Sequence, residues 1–280
     1  MRKLKGLRRT RWVVLLAIAA TVVVTVAVSQ AATGPAIVTI TPQYADDVTN
    51  VDVLKQQIRN YYGDPLGTGN FAADSNYAKE AQGVATQGYW WLTQRGNPPT
   101  FRQKKAIILD VDDTTLATYN YEIFSNWAFN SATNATFVNG ELFPAVPGMV
   151  DMATQAKQLG YAIIFLTGRP TSQAAATLGN LTTDGMPSPP AIHNHYPTPT
   201  ALFLKPPKDT YATDAPWLLP CINDTANGCN TTDYKTLTRK HVEQDLGYDI
   251  VANFGDQFSD LTGGFADRTF KMPNPNYYLP

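Results

Sequence analysis

Ala106-Ile107-Ile108-Leu109-Asp110-Val111-Asp112-Asp113-Thr114-Thr115-Leu116 is the stretch that decides the fold. Its apolar start reads as a short buried strand, and three acids in four positions follow at the strand's end. Carboxylates placed there are costly unless cations or hydrogen bonds neutralise them. In an open α/β sheet the carboxyl ends of the strands are where ligands bind. The pattern therefore expects a hard divalent cation and an anion for it to bridge, as in chemistry on phosphate.

Outward from this stretch, apolar strands alternate with helical patterns. Tyr161–Leu166, Ala201–Leu204 and Asp249–Phe254 read as further strands. Helices are expected from Pro147-Gly148 to Leu159, near Thr171–Leu178, and over Lys235–Leu246. Such alternation predicts a parallel sheet with right-handed crossovers. Two helical patterns come first, Val51–Tyr62 and Tyr77–Gln94, ended by Asn97-Pro98-Pro99. Trp90 and Trp91 at the end of the second are expected to pack against the sheet. Residues 117–146 and 183–233 read as long irregular insertions of the kind that form lids or binding loops.

Net charge is −1, but six of the 22 basic residues crowd the first eleven positions. The rest of the chain is acidic, which argues against a nucleic-acid surface. The basic start, the apolar run Trp12–Val28 and Ser29-Gln30-Ala31-Ala32 read as a secretory signal over residues 1–31. Residues 32–50 then form a flexible arm, and no membrane association is expected after cleavage. The alternative is an uncleaved anchor, since the run approaches the roughly 20 residues of a membrane span. Cys221 and Cys229, the only cysteines, lie close together in a loop-like stretch. Export implies an oxidising compartment, so a disulfide is expected between them.

Four places carry residues suited to phosphoryl chemistry. Asp110 and Asp112 alternate along a strand end and can share a pocket. One can attack phosphorus, and the other can protonate the leaving alkoxide and later deprotonate water. Leu166-Thr167-Gly168-Arg169-Pro170 offers a hydroxyl and backbone N–H groups at a glycine turn entering a helix. Tyr234-Lys235-Thr236-Leu237-Thr238-Arg239-Lys240 is a basic helix start able to supply a cation. Gly255-Asp256-Gln257-Phe258-Ser259-Asp260 again sets acids beyond an apolar strand, suited to Mg²⁺.

These stretches, in this order and with the ending Phe270–Tyr278, resemble the haloacid dehalogenase (HAD) superfamily of phosphohydrolases. The likeness is to its secreted acid phosphatase branch, subfamily IIIB, which includes plant vegetative storage proteins and class B-like acid phosphatases. It covers roughly Tyr77 to the C-terminus. The resemblance implies an α/β fold: a three-layer, Rossmann-like parallel sheet with a helical N-terminal extension and a small cap insertion. Residues 51–280 would be one domain, with the extension at 51–95 and the cap at about 117–146. It further implies Asp110 as nucleophile, Asp112 as general acid/base, and Thr167, with Gly168 and Arg169, on the substrate phosphate. A lysine would stabilise the charged intermediate. Asp110, Asp256 and the backbone carbonyl of Asp112 would hold Mg²⁺, with Asp260 supporting through water.

Lys235 is preferred as that lysine over Lys240 and Lys205, because Tyr234-Lys235 followed by Arg239 fits the pattern of the branch it resembles and because a helix's first turn faces the sheet's catalytic edge. The metal is needed because a carboxylate meeting a phosphate dianion at ~4 Å is several kcal/mol uphill even at an effective dielectric of about 20. The expected activity is exported, Mg²⁺-dependent hydrolysis of small-molecule phosphomonoesters. Two rivals are a phosphotransferase with the same residues and a storage or binding protein, which predicts a lost nucleophile. Oligomeric state is left open, a homodimer included. Asp113 is expected to cap the turn after the strand. Arg169 has two readings, phosphate contact or a salt bridge to an acid. His193 and His195 are expected to meet substrate rather than metal, and His241 to be solvated.

Overall fold

The structure is a computed structural model that describes residues 49–95, 104–182 and 191–279. The signal-like segment 1–31, the arm as far as residue 48, Asn97-Pro98-Pro99 and residues 183–190 lie outside the described residues. Five strands, β1 (Lys104–Leu109), β2 (Ala162–Pro170), β3 (Ala201–Lys205), β4 (Tyr248–Gly255) and β5 (Thr269–Lys271), form one sheet. Its order is β3-β2-β1-β4-β5, and every neighbouring pair is parallel. The chain builds outward from β1 to β3, then returns to the other side of β1 with β4. That reversal opens a crevice beyond the carboxyl ends of β1 and β4, where ligands of open α/β sheets bind.

Helices α1 (Val51–Tyr61) and α2 (Asn76–Arg95) precede the sheet. After β1 come α3 (Tyr119–Ser125), α4 (Ser131–Asn139) and α5 (Met149–Gln158). Helix α6 (Ala174–Leu181) follows β2, while α7 (Tyr211–Asp214) and α8 (Thr231–Gln244) separate β3 from β4. A last turn, α9 (Phe258–Leu261), leaves β4. Alternation along β1 sorts the core into two layers. Ile107 and Leu109 join Tyr77, Ala81, Leu92, Met152 and Ala156 on one face. Ala106 and Ile108 join Tyr234, Val242 and Leu218 on the other. The strands are buried on both faces, which is why they read as unbroken apolar runs. Gly88 lets α2 close onto β4, since a Cβ there would lie 2.4 Å from the Phe254 ring.

Several expectations need correction. Helix α8 starts at Thr231, four residues before Lys235, because Asn230 caps it by accepting the Asp233 N–H at 2.9 Å. Lys235 is thus in the second turn. The Thr167-Gly168-Arg169 stretch is no turn: β2 continues to Pro170, and a 3₁₀ turn, Thr171–Gln173, intervenes before α6. Residues 117–146 are not irregular, since α3 and α4 form there, α4 capped by Asn130. Trp91 packs on the sheet and donates its indole N–H to Val251 O at 2.9 Å, but Trp90 is exposed. Strand β5, with a single buried residue (Phe270), escaped the sequence reading. The expected disulfide joins Cys221 and Cys229 inside the second layer's core.

Candidate active site

Asp110 continues the β1–β4 ladder, its N–H donating to Phe254 O at 3.0 Å, so its carboxylate emerges buried at the crevice. Lys235 reaches the same point from α8. Its ammonium donates to the Asp110 carboxylate, to Asp260 Oδ1 at 2.9 Å and to Leu166 O at 2.8 Å. An ammonium has three donors, and all three are used. Burial alone would lower the Lys235 pKa, but Asp110 and Asp260 more than offset it, and the group is held above the ordinary lysine value. Burial pushes Asp110 well up from the usual carboxylate range; Lys235 opposes this, while Asp260, Asp256 and Asp112 add to it. The other two lysines are elsewhere. Lys240 is exposed, and Lys205 donates to Cys229 O at 2.6 Å.

Asp112 and Arg169 form the second cluster. The buried guanidinium donates from Nη2 to Asp112 Oδ1 at 2.6 Å and from Nε to Oδ2 at 3.0 Å. Its Nη1 donates to Thr177 Oγ1 at 3.0 Å, and the group lies 5.5 Å from the Phe143 ring centre. Of the two readings for Arg169, this arrangement shows the salt bridge to an acid. Thr167 is buried beside it, its Oγ1 accepting the Arg169 N–H at 3.2 Å. Gly168 is exposed, and a Cβ there would meet nothing within 4 Å.

Asp113 behaves as expected, accepting from Thr118 N at 2.9 Å and Thr118 Oγ1 at 2.5 Å at the start of α3. Burial nonetheless pushes it up to about 7. Asp256, beyond β4, is also pushed up to about 7, by burial and then by Asp260 and Asp113. Its Oδ2 accepts from Gln257 Nε2 and Asn274 Nδ2, each at 2.7 Å, and Oδ1 from Thr114 Oγ1 at 3.3 Å. Asp260 accepts the Gln257 N–H at 2.9 Å, and its backbone oxygen takes Arg239 Nη1 and Asn253 Nδ2.

Among the described residues, Asp110, Asp256 and Asp260 each offer a carboxylate oxygen within 4.8 Å of the others. Among the described residues, five carboxylates, with Asp112 and Asp113, lie about the cations Lys235 and Arg169, with Arg239 behind Asp260. Burial is the main reason Asp110, Asp113 and Asp256 stand above the ordinary carboxylate range, and their acidic neighbours add to it. An all-oxygen donor set with surplus charge fits a hard divalent cation. Asp260, expected to support the metal through water, places its own carboxylate oxygen in this group.

Gln257, Asn274, Thr114 and the Leu166 carbonyl went unread in the sequence. Asn274 had one signal, its place in the ending Phe270–Tyr278, which carried no assigned role. Of the three histidines, His241 departs from expectation. His193 has an acidic partner from across the fold, Nε2 lying 3.0 Å from Glu141 Oε2. His241 is not simply solvated: it stacks on Trp217 at 3.9 Å and contacts Asp245 at 2.7 Å.

Residues 21–280 match the family described as HAD superfamily, subfamily IIIB (acid phosphatase). The Glycine max stem 28 kDa glycoprotein is 30% identical over 217 residues, 76% of this chain and 73% of that one. Acid phosphatase 1 of Solanum lycopersicum is 28% identical, covering 61% of this chain and 58% of its own. Vegetative storage protein 1 of Arabidopsis thaliana is 25% identical, covering 84% and 75%. The class C acid phosphatase of Bacillus anthracis with tungstate bound shares the fold, with TM-score 0.51, 21% identity, and coverage of 82% and 87%. With its parallel sheet, its acids at the β1/β4 crevice and the match over most of its length, the chain belongs to subfamily IIIB of the HAD superfamily and is a phosphoric monoester hydrolase of the acid phosphatase type.

Proposed function

We propose that this chain is an exported, Mg²⁺-dependent acid phosphatase working through an aspartyl-phosphate on Asp110. The observation that carries the reading is the buried triad Asp110, Asp256 and Asp260 at the sheet's reversal point, with the Lys235 ammonium bridging Asp110 and Asp260. Asp110, Asp256 and Asp260 would hold the cation, which when bound supplies positive charge against the repulsion between carboxylate and phosphate.

An Asp110 oxygen attacks phosphorus as the P–O ester bond breaks. Asp112 gives its proton to the departing alkoxide. Water then attacks phosphorus, Asp112 takes the water's proton, and the bond to Asp110 breaks to release inorganic phosphate. Lys235 stays by Asp110 throughout and matches the charge on the transferring group. Thr167 and the open space above Gly168 receive the phosphate oxygens. Before Asp112 can face the leaving oxygen, its contact with Arg169 loosens, and the freed guanidinium turns to phosphate. Helices α3 and α4 cap the site, and small-molecule phosphomonoesters are the substrates. Export is supported by the 1–31 pattern and by the Cys221–Cys229 disulfide, which suits an oxidising compartment. Among the described residues no helix is long and apolar enough to cross a membrane. The likeness to storage proteins keeps a storage role as the second reading. Retention of both Asp110 and Asp112 speaks against it.

A phosphatase assay over a panel of phosphomonoesters, with and without chelator, tests the reading. Asp110→Asn should abolish turnover, by at least about 10³-fold, and Asp112→Asn should cost about 10²–10⁴-fold. Full activity in Asp110→Asn, or indifference to chelator, sinks the mechanism. Adding glycerol distinguishes phosphoryl transfer to an alcohol from transfer to water.

A further inference from the structure

Strand β5 leads into Met272–Tyr278, and this C-terminal strap returns to the acids beyond β4. Asn274 Oδ1 accepts the Asn276 backbone N–H at 2.8 Å, which settles which end of the amide is which. Its Nδ2 must then face Asp256 Oδ2, 2.7 Å away, with Asp113 Oδ2 farther off at 3.5 Å. Gln257 Nε2 occupies the same Asp256 oxygen at 2.7 Å. Both lone pairs of Oδ2 are therefore engaged, and Oδ1 is left with only the Thr114 hydroxyl at 3.3 Å. A carboxylate so held cannot rotate between equivalent poses, and it presents one defined oxygen.

The strap is itself anchored. Asn276 Nδ2 donates to the Tyr62 hydroxyl at 2.8 Å, and its Oδ1 accepts the Trp127 indole N–H at 3.3 Å. Tyr62, at the end of α1, is fully buried, stacked on Tyr119 at 3.9 Å and packed on Tyr77 at 4.3 Å. A continuous chain of contacts thus runs from the N-terminal helices through Asn276 and Asn274 to Asp256. Trp127 adds a strut from the segment between α3 and α4.

We propose that Asn274 is a positioning residue for the metal-holding carboxylate Asp256, and that Tyr62 and Asn276 anchor it, so that the N-terminal helices and the C-terminal strap together set the metal affinity. The inference rests on the Mg²⁺ reading above. Partners of metal-ligating groups typically contribute 10–100-fold in affinity. The contact also explains why residues 51–62 pack at this end of the sheet: they hold the strap as well as bury apolar surface.

Calorimetric titration of the metal-stripped, substrate-free chain with MgCl₂ tests this without any turnover. Asn274→Ala is expected to weaken Mg²⁺ binding by about 10–100-fold with the metal-free melting temperature little changed. Tyr62→Phe, which keeps the ring stack and removes only the hydroxyl, should weaken it in the same direction by a smaller factor. If Asn274→Ala does not fold, Asn276→Ala replaces it, expected to weaken binding between those two extents. Wild-type affinity in the folded Asn274 or Asn276 variant overturns the inference and leaves the Mg²⁺ reading intact. No Mg²⁺ binding by the wild type overturns both.

Discussion

Lys235 shows how much one side chain can organise. It is buried, it saturates its three donors, and two of its acceptors are carboxylates that nothing else nearby neutralises as directly. Breaking a buried pair from one side typically costs about 3–5 kcal/mol, because it strands the remaining charge. Lys235→Met should therefore lower the melting temperature sharply at neutral pH. The deficit should shrink in acid, since Asp110, already raised by burial, becomes protonated and no longer needs a partner. Melting curves from pH 4 to 8 would show it, and a deficit independent of pH would contradict the charge argument. Gly168 makes the opposite point. A Cβ there meets no protein atom, so Gly168→Ala should melt like the wild type yet lose activity by intruding where phosphate is proposed to lie. The acids and Thr167 were legible because strand ends announce themselves by composition. Lys235 was legible from its spacing to Arg239, while the helix-turn argument was mistaken, since it stands in the second turn of α8 and not the first. Asn274 was not legible: an amide in a Pro- and Asn-rich tail has no sequence signal for the carboxylate it will meet.

Helix α3 carries a titratable group of its own. Glu122 is buried, and burial pushes its carboxyl up to about 7 from an ordinary 4.5. A carboxyl with a raised native pKa binds its proton more tightly folded than unfolded. Its contribution is fully present below about 4.5 and is lost as pH rises through about 7. Glu122→Gln removes that dependence and should stabilise the protein above pH 7 by up to about 3 kcal/mol, with little gain at pH 4. Chemical denaturation at both pH values checks this, and an equal gain at both would refute it. Residues 117–146 read as irregular in sequence because neither helix there has a long apolar stripe. Their start is fixed instead by single side chains: Asp113 on Thr118, and Asn130 on the first turn of α4. Strand β5 was missed for a related reason, as three residues with one buried ring carry no period to detect.

The sheet itself was the most legible part of the molecule, because strands buried on both faces are written as apolar runs with turns between them. What tied distant parts together was not: Glu141 with His193, Trp217 with His241, and Tyr62 with Asn276 are meetings of residues from separate elements. The Cys221–Cys229 disulfide could be read because only two cysteines exist. It closes a short loop, worth about 2–3 kcal/mol on chain-entropy grounds. Replacing both cysteines by alanine should lower Tm by about 5–10 °C while sparing activity below the transition, which a thermal melt and a rate assay at 25 °C would check.

The strand order has a kinetic consequence. β1 is central, yet β4 follows only after β2, β3 and the helices between them have been traversed, and the two pair in parallel. Closing so long a loop costs chain entropy before any contact rewards it, and such non-local parallel pairing is slow. Until it happens, Asp110 and Asp256 sit on separate solvated segments and do not repel each other. Their mutual repulsion therefore arises only once β4 docks beside β1. On the proposed metal reading, a divalent cation would offset that repulsion and is expected to speed the pairing of β4 with β1, which refolding rates with and without MgCl₂ would check.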